Sequence, residues 1–444
     1  MEKSKKRRAV ELVKDVLIIL LSCSALWLAA RTPLAAPLRG LLQEEGPRTA
    51  PGQSQGEGRG EGAVPLAMAA NIPGGNGLPE GTRCGLRYDQ NACQELFQRV
   101  AGPLAETLSS ADGPEAVSRR EWEQALTAQL GVYMDFQGQI PLPVLVGWLS
   151  GEETRLTATV RRMVLTVGED GLDLCYRDEE DGRFYRCRSR VADPFSVAEA
   201  LSELTDNGAF YAFESELYQG LDPDTLLLPE APAPAVYSVV NPMSGAQGAL
   251  EALVRDLGFS LNSTSFYSTD EQVARSGDDS VRLSSRGVAQ YQYEGKAGGG
   301  LFRVPGQGGT GALFSSVEAC RQIALTAVGS RCGEARIYLL SVRESPFGLE
   351  IEFGYSLNGI PVLLDQGYAA RFLVREGEVA QFAIYLRGYT ANGTDSLVLP
   401  PRQAAAALLA QGLEGEELLL TYTDGGGDTA SAGWSARESR RGEG

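Results

Sequence analysis

An unbroken apolar run from Val16 to Ala30 constrains this chain more than any other feature: it is entered from Lys3, Lys5, Lys6, Arg7 and Arg8 and closed by Arg31. A basic flank beside an apolar run stays in the cytoplasm. The run rises only about 22 Å as a helix, short of the roughly 30 Å hydrocarbon core, so it recruits Leu12 and Val13 while Lys14 and Asp15 reach toward head groups. Residues 1–9 are therefore expected as a cytoplasmic tail and 10–31 as a single-pass anchor, with the rest extracellular. Two other readings stay open. Ala29, Ala30, Ala35 and Ala36 offer small residues for signal-peptide cleavage, and Leu20-Leu21-Ser22-Cys23 formally suits a lipoprotein, although the apolar stretch continues past it.

The 444 residues carry 57 Asp plus Glu against 40 Lys plus Arg, a formal charge of −17, and no histidine. That absence excludes a Ser-His-Asp triad, a Cys-His pair and any His-ligated zinc. Residues 1–30 hold six basic and three acidic side chains, so the exported remainder carries −20. Such a field opposes nucleic acid and anionic surfaces, and no nucleic-acid partner is expected.

Length suggests two or three domains. Residues 32–82, rich in Gly, Pro, Gln and Glu without an apolar period, read as a flexible stalk. A first α+β domain is expected over 83–228. It opens with helical patterns at Asn91–Leu108 and Ser118–Leu130, the second with Ser118 and Glu121 in the form of a capping box. Strand patterns follow, including a hairpin around the acidic turn Asp178–Gly182. The Pro-rich stretch Pro229–Pro234 reads as a linker to a middle α+β domain at 236–298, with a hairpin around Ser285-Arg286-Gly287. A C-terminal α+β domain at 312–424 alternates apolar and polar residues along Leu349–Leu357, turns at Asn358-Gly359 in type I′ geometry, and continues as an antiparallel meander. The tail 425–444 is expected to be mostly disordered apart from Trp434. The fold class is thus α+β: antiparallel sheets with packed helices, in several exported domains behind one transmembrane helix.

Six cysteines lie beyond Cys23 as near neighbours: Cys84 and Cys93, Cys175 and Cys187, Cys320 and Cys332. Outside a cell they read as disulfides, and local pairing is the economical choice among fifteen connectivities. A metal reading lacks Cys-x-x-Cys spacing. Gly306–Gly311 matches Gly-x-Gly-x-x-Gly but stands among linker-like glycines, so no dinucleotide cofactor is expected. Glu350 and Glu352, on one strand face, are the available paired carboxylates, and alternation alone accounts for them. Asn262-Ser263-Thr264 and Asn392-Gly393-Thr394 fit a glycosylation sequon and read as turns. No enzyme, cofactor or metal site is expected.

The anchor, the exported body and the segment Phe353-Gly354-Tyr355-Ser356-Leu357-Asn358-Gly359-Ile360-Pro361-Val362 together resemble the YycH/YycI family. Val379–Leu386, Gln403–Ala410, Tyr422 and Trp434 extend the likeness over Val236–Trp434. These are membrane-anchored accessory proteins of a cell-wall-sensing two-component histidine kinase in Gram-positive bacteria. The six cysteines, the stalk and Arg437, Arg440 and Arg441 depart from the family's pattern. The resemblance implies a regulatory protein in the cell membrane, whose partners are a sensor histidine kinase and a paralogous accessory protein. The expected contact lies on the anchor at Ser22, Cys23, Ser24 and Ala25, small enough for close helix approach. An exported envelope scaffold or ligand-binding module without a signalling role is the other reading.

Overall fold

Residues 60–72, 82–244, 248–259, 271–306 and 310–438 are described by a computed structural model. All of them fall in one compact unit, Ala50–Gly444. The anchor with Ser22, Cys23, Ser24 and Ala25, the cytoplasmic tail and most of the stalk lie outside the described residues. Among those described, no helix is long and apolar enough to cross a membrane.

Two sheets organise the chain. The first uses β1 (Ala67–Asn71), β2 (Arg83–Leu86), β3 (Glu115–Val117), β4 (Val132–Pro141), β5 (Thr159–Val167), β6 (Leu172–Asp178) and β7 (Phe184–Ser189) in the order β2-β1-β4-β5-β6-β7-β3, with every pair antiparallel. The strand β1 corrects the expected stalk boundary. All five of its residues are buried, and a strand covered on both faces reads as an apolar run without alternation, which resembles a linker when the residues are Ala. Leu96, Phe97 and Val100 of helix α1 (Gln90–Ser110) cover one face of this sheet. Trp122 and Leu126 of helix α2 (Arg119–Thr127) cover the other, together with the short ribbon β8 (Phe210–Tyr211) and β9 (Leu226–Leu227). The expected capping box is present: Ser118 Oγ accepts from Glu121 N, and Ser118 N donates to the Glu121 carboxylate.

The second sheet has twelve strands: β10 (Ala235–Val240), β11 (Glu271–Ser276), β12 (Asp279–Ser284), β13 (Val288–Tyr293), β14 (Arg336–Ser345), β15 (Gly348–Leu357), β16 (Ile360–Leu364), β17 (Ala370–Arg375), β18 (Glu378–Tyr385), β19 (Gly388–Asp395), β20 (Glu417–Asp424) and β21 (Thr429–Arg437). Strands from 236–298 therefore share a sheet with those from 312–437 instead of forming one of their own, because β13 pairs with β18. The expected meander is interrupted at β15. One edge of β15 pairs with β14 along its length, while the other pairs with β17 over Leu349–Phe353 and with β16 over Tyr355–Leu357. The sheet forks between those segments at Gly354, where an added Cβ would lie 2.7 Å from the Tyr338 ring. Asn358 and Gly359 take φ of 48° and 81°, the positive pair that a type I′ turn demands. The expected tail differs too: Thr429–Arg437 is a strand paired with β20, its polar sequence stabilised by that ladder. Asn392 lies inside β19 rather than in a turn.

The remaining helices are α3 (Leu142–Leu149), α4 (Pro194–Leu201), α5 (Ala249–Asp256), α6 (Thr310–Val328) and α7 (Pro401–Ala410). Helices α3 and α6 pack closely: a Cβ at Gly147 would meet the Phe314 ring at 2.3 Å, and Trp148 Nε1 donates to Glu318 Oε2 at 2.8 Å.

Candidate functional site

The two sheets meet at a buried cluster of charges. In β4 the register slips between Asp135 and Ile140, and Gln137 takes φ of 61°. Asp135 holds this bulge, its Oδ1 accepting from Gln137 N at 2.8 Å and its Oδ2 from Gln137 Nε2 at 3.0 Å. The same carboxylate accepts from Arg161 Nε at 3.1 Å and Nη2 at 3.0 Å. Arg161 then reaches the second sheet, donating from Nη1 to Glu417 Oε2 at 2.7 Å and from Nη2 to Glu417 Oε1 at 2.9 Å. Arg162 Nη2 stands 2.7 Å from Glu417 Oε1, and its Nη1 donates to Asp222 Oδ2 at 3.1 Å. Asp224 accepts from Trp122 Nε1 at 3.0 Å and from Arg119 at 2.6 and 3.0 Å. Arg437 of β21 donates to the Gln137 carbonyl at 2.9 Å.

Four arginines face four carboxylates, so the cluster is neutral although its members are mostly buried. Burial alone would raise the Glu417 carboxyl, but Arg161 and Arg162 hold it well below the usual carboxylate range. Asp224 is shifted upward by burial and by its neighbour Asp222, against Arg119 and Arg162. Just beside the cluster Gly138 lets the backbones of the sheets touch, since a Cβ there would lie 1.9 Å from the Leu339 carbonyl oxygen. The strand β5 conceals all this from a reading of the sequence, because its apolar residues surround the charges. The register of β5 slips between Val160 and Met163, so the adjacent Arg161 and Arg162 converge on Glu417 from a strand buried on both faces, where neither can reach water. Arg161-Arg162 was the available signal.

The residues considered for chemistry lie elsewhere and are not assembled for it. Glu350 accepts from Arg371 Nη2 at 2.6 Å, and Glu352 from Arg343 Nη2 at 2.9 Å and Ser341 Oγ at 3.0 Å, so each carboxylate is engaged by a guanidinium. Residues 307–309 of the Gly-rich motif lie outside the described residues. The segment before α6 makes an isolated antiparallel bridge, Arg303 to Glu378, rather than a parallel strand of a dinucleotide fold. A cleft of about 1070 Å³ opens between the arms of the forked sheet, lined by Arg286, Asp365, Gln366, Tyr385, Arg387 and Asp424. At its floor Arg387 donates to both oxygens of Asp424 at 2.9 and 2.7 Å, and Tyr389 Oη donates to Oδ2 at 2.8 Å. Burial raises the Asp424 carboxyl, and these donors more than reverse the shift. The pair is closed on itself.

The six cysteines beyond Cys23 are buried and unpaired in this structure, where the sequence reading expects disulfides. The register supplies one reason: Cys175 pairs with Arg186 and Leu174 with Cys187, so the two cysteines are offset by one residue and enter different cores on opposite faces. Cys320 is buried within helix α6, while Cys332 closes a separate turn, Gly329–Cys332, set off from the helix by the positive φ of Gly329, and the two thiols are not paired. Cys93 Sγ instead donates to the Leu86 carbonyl at 3.4 Å, and Cys332 Sγ to Ala335 O at 3.2 Å. Burial pushes the Cys93 and Cys175 thiols up to about 12 and Cys187 to about 11. A thiol-alkylating reagent at pH 8 should therefore label these six slowly in the folded protein, and all seven cysteines once it is denatured without reductant. Fewer than seven labels after denaturation, restored by reductant, would mean that disulfides form.

No protein-family model matches the chain, and no curated protein matches it in sequence. Among solved structures the fold is similar to the crystal structure of YycH from Bacillus subtilis, with 11% sequence identity, 88% of this chain and 96% of that chain covered, and a TM-score of 0.51. At 88% coverage the likeness reaches well before Val236, where the strand pattern alone had placed its start. The resemblance drawn from Phe353–Val362 thus holds at the level of the fold: this chain is similar in architecture to YycH over nearly the whole length of both.

Proposed function

We propose that this protein is a membrane-anchored, extracytoplasmic regulator that modulates a sensor histidine kinase of the cell envelope by protein–protein contact, without chemistry of its own. The fold likeness to YycH carries this reading. The basic-flanked run Val16–Ala30 supports it, because it tethers the body beside other transmembrane helices. The buried charge junction supports it physically: two sheets locked by Arg161, Arg162 and Glu417 move as one body, which transmits contact rather than hinging around a substrate. A regulator of this kind acts by binding two kinase conformations unequally, and each tenfold difference in affinity biases them by about 1.4 kcal/mol. A paralogous accessory protein is a second partner on the same reading.

Replacing Val16–Ala30 by an unrelated apolar span of equal length should abolish co-purification of the kinase from native membranes while leaving the protein membrane-bound. Unchanged co-purification would move the contact to the exported body. Absence of any kinase from both preparations would overturn the reading in favour of an envelope scaffold.

A further inference from the structure

The outer face of the second sheet carries a feature that neither the fold nor the anchor requires. Its inner face is an aromatic core in which Tyr291, Phe302, Phe372 and Phe382 contact one another, so the strands β12, β13, β18 and β17 form a rigid platform. On the solvent side a trough of about 520 Å³ is lined by Arg282, Arg371, Arg375, Gln290, Gln292 and Gln381, with Glu350 as its carboxylate. Glu350 is already taken by Arg371 at 2.6 Å. Arg282 and Arg375 are exposed and have no carboxylate partner among the described residues. In a chain of −17 overall, a patch of net positive charge is the reverse of what composition predicts.

The geometry points to an extended acidic segment of a partner protein as the occupant. Arg282, Gln290, Ala383 and Arg371 lie on one cross-strand row. Three strand spacings separate the outer two, or about 14 Å, which is about four residues of an extended chain. Residues four apart on such a chain face the same way, so one segment laid across the strands presents one carboxylate to Arg282 and the next at β17, where Arg371 is held by Glu350 and the free Arg375 stands on the same face. Ala383, with only a methyl between Gln290 and Arg371, leaves the depression the segment enters. Glutamine amides both donate and accept, as peptide groups do, whereas a phosphate polymer offers acceptors alone. Arginine forks bind carboxylates in two-point fashion. At the rim the loop Pro346-Phe347 joins β14 to β15 and presents Phe347, 70% exposed, as an apolar contact, its backbone N–H donating to Ser345 Oγ. This proposal does not depend on the anchor or on the kinase.

The test uses the full-length protein in detergent micelles and a fluorescein-labelled Ser/Thr peptide with glutamate at every fourth position, followed by fluorescence anisotropy. The peptide should bind, with affinity falling as salt rises, and its glutamine counterpart should not. The double variant Arg282→Gln/Arg375→Gln should weaken binding at least about tenfold, through lost charge-assisted hydrogen bonds, with its melting temperature unchanged because both side chains are solvent-exposed. The Arg282→Lys/Arg375→Lys variant should retain part of the affinity. Four results would each overturn the proposal: no binding of the glutamate peptide, equal binding of the glutamine peptide, unchanged binding by the double variant, or tighter binding of long-chain polyphosphate than of the peptide.

Discussion

Glu417→Gln should lower the free energy of unfolding by about 3–5 kcal/mol, because it leaves Arg161 and Arg162 buried with one carboxylate fewer. The side chain keeps its size, so the loss reports charge rather than packing. Denaturant titration followed by tryptophan fluorescence measures it, since Trp122 belongs to the same network through Asp224. The pH dependence has a defined sign. Glu417 is held below its unfolded value, so its contribution is fully present above about pH 4.3 and fades as pH falls through the lower, folded value. The gap between wild type and Glu417→Gln should therefore narrow with acidification below about pH 4. A gap that is small at neutral pH, or that widens in acid, would mean that the cluster does not hold the sheets together.

Gly138→Ala tests the same junction by sterics. Its Cβ would stand 1.9 Å from the Leu339 carbonyl oxygen, a backbone atom that no rotamer can move aside. Either β4 and β14 separate or the bulge at Gln137 is rebuilt, and both disturb the hydrogen bonds that Asp135 and Arg437 make to it. A cost of about 3 kcal/mol or more is expected, at the upper end for overpacked sites. Gly113→Ala has open space around it and serves as the control that should change little. Equal stability of the two variants would contradict the close approach of the sheets.

Much of the secondary structure was legible in the residues. The capping box at Ser118 and Glu121, the Asn358-Gly359 turn and the alternation along Leu349–Leu357 depend on neighbours a few positions apart, and local physics decides them. Two strands and one charged pair escaped for identifiable reasons. The strand β1 has no alternation because it is covered on both faces, β21 is polar and exists through its ladder with β20, and β5 hides two buried arginines among its apolar residues. The expected pairing of Cys175 with Cys187 rested on spacing along the chain, which says nothing of register: one residue of offset sends the two to opposite sides of a sheet.

From residue order alone came the basic-flanked apolar run, the excess of acid, the missing histidine and most of the helices and hairpins, since each depends on composition or on short-range periodicity. Tertiary structure decided which distant strands became neighbours, where β15 forks the second sheet, which thiols stay apart and how Asp135, Arg161, Arg162 and Glu417 came to share one dry site. Those outcomes hinge on contacts between residues up to 300 positions apart, such as Gln137 with Arg437. Their energy appears only when charge and backbone are enclosed together, away from water.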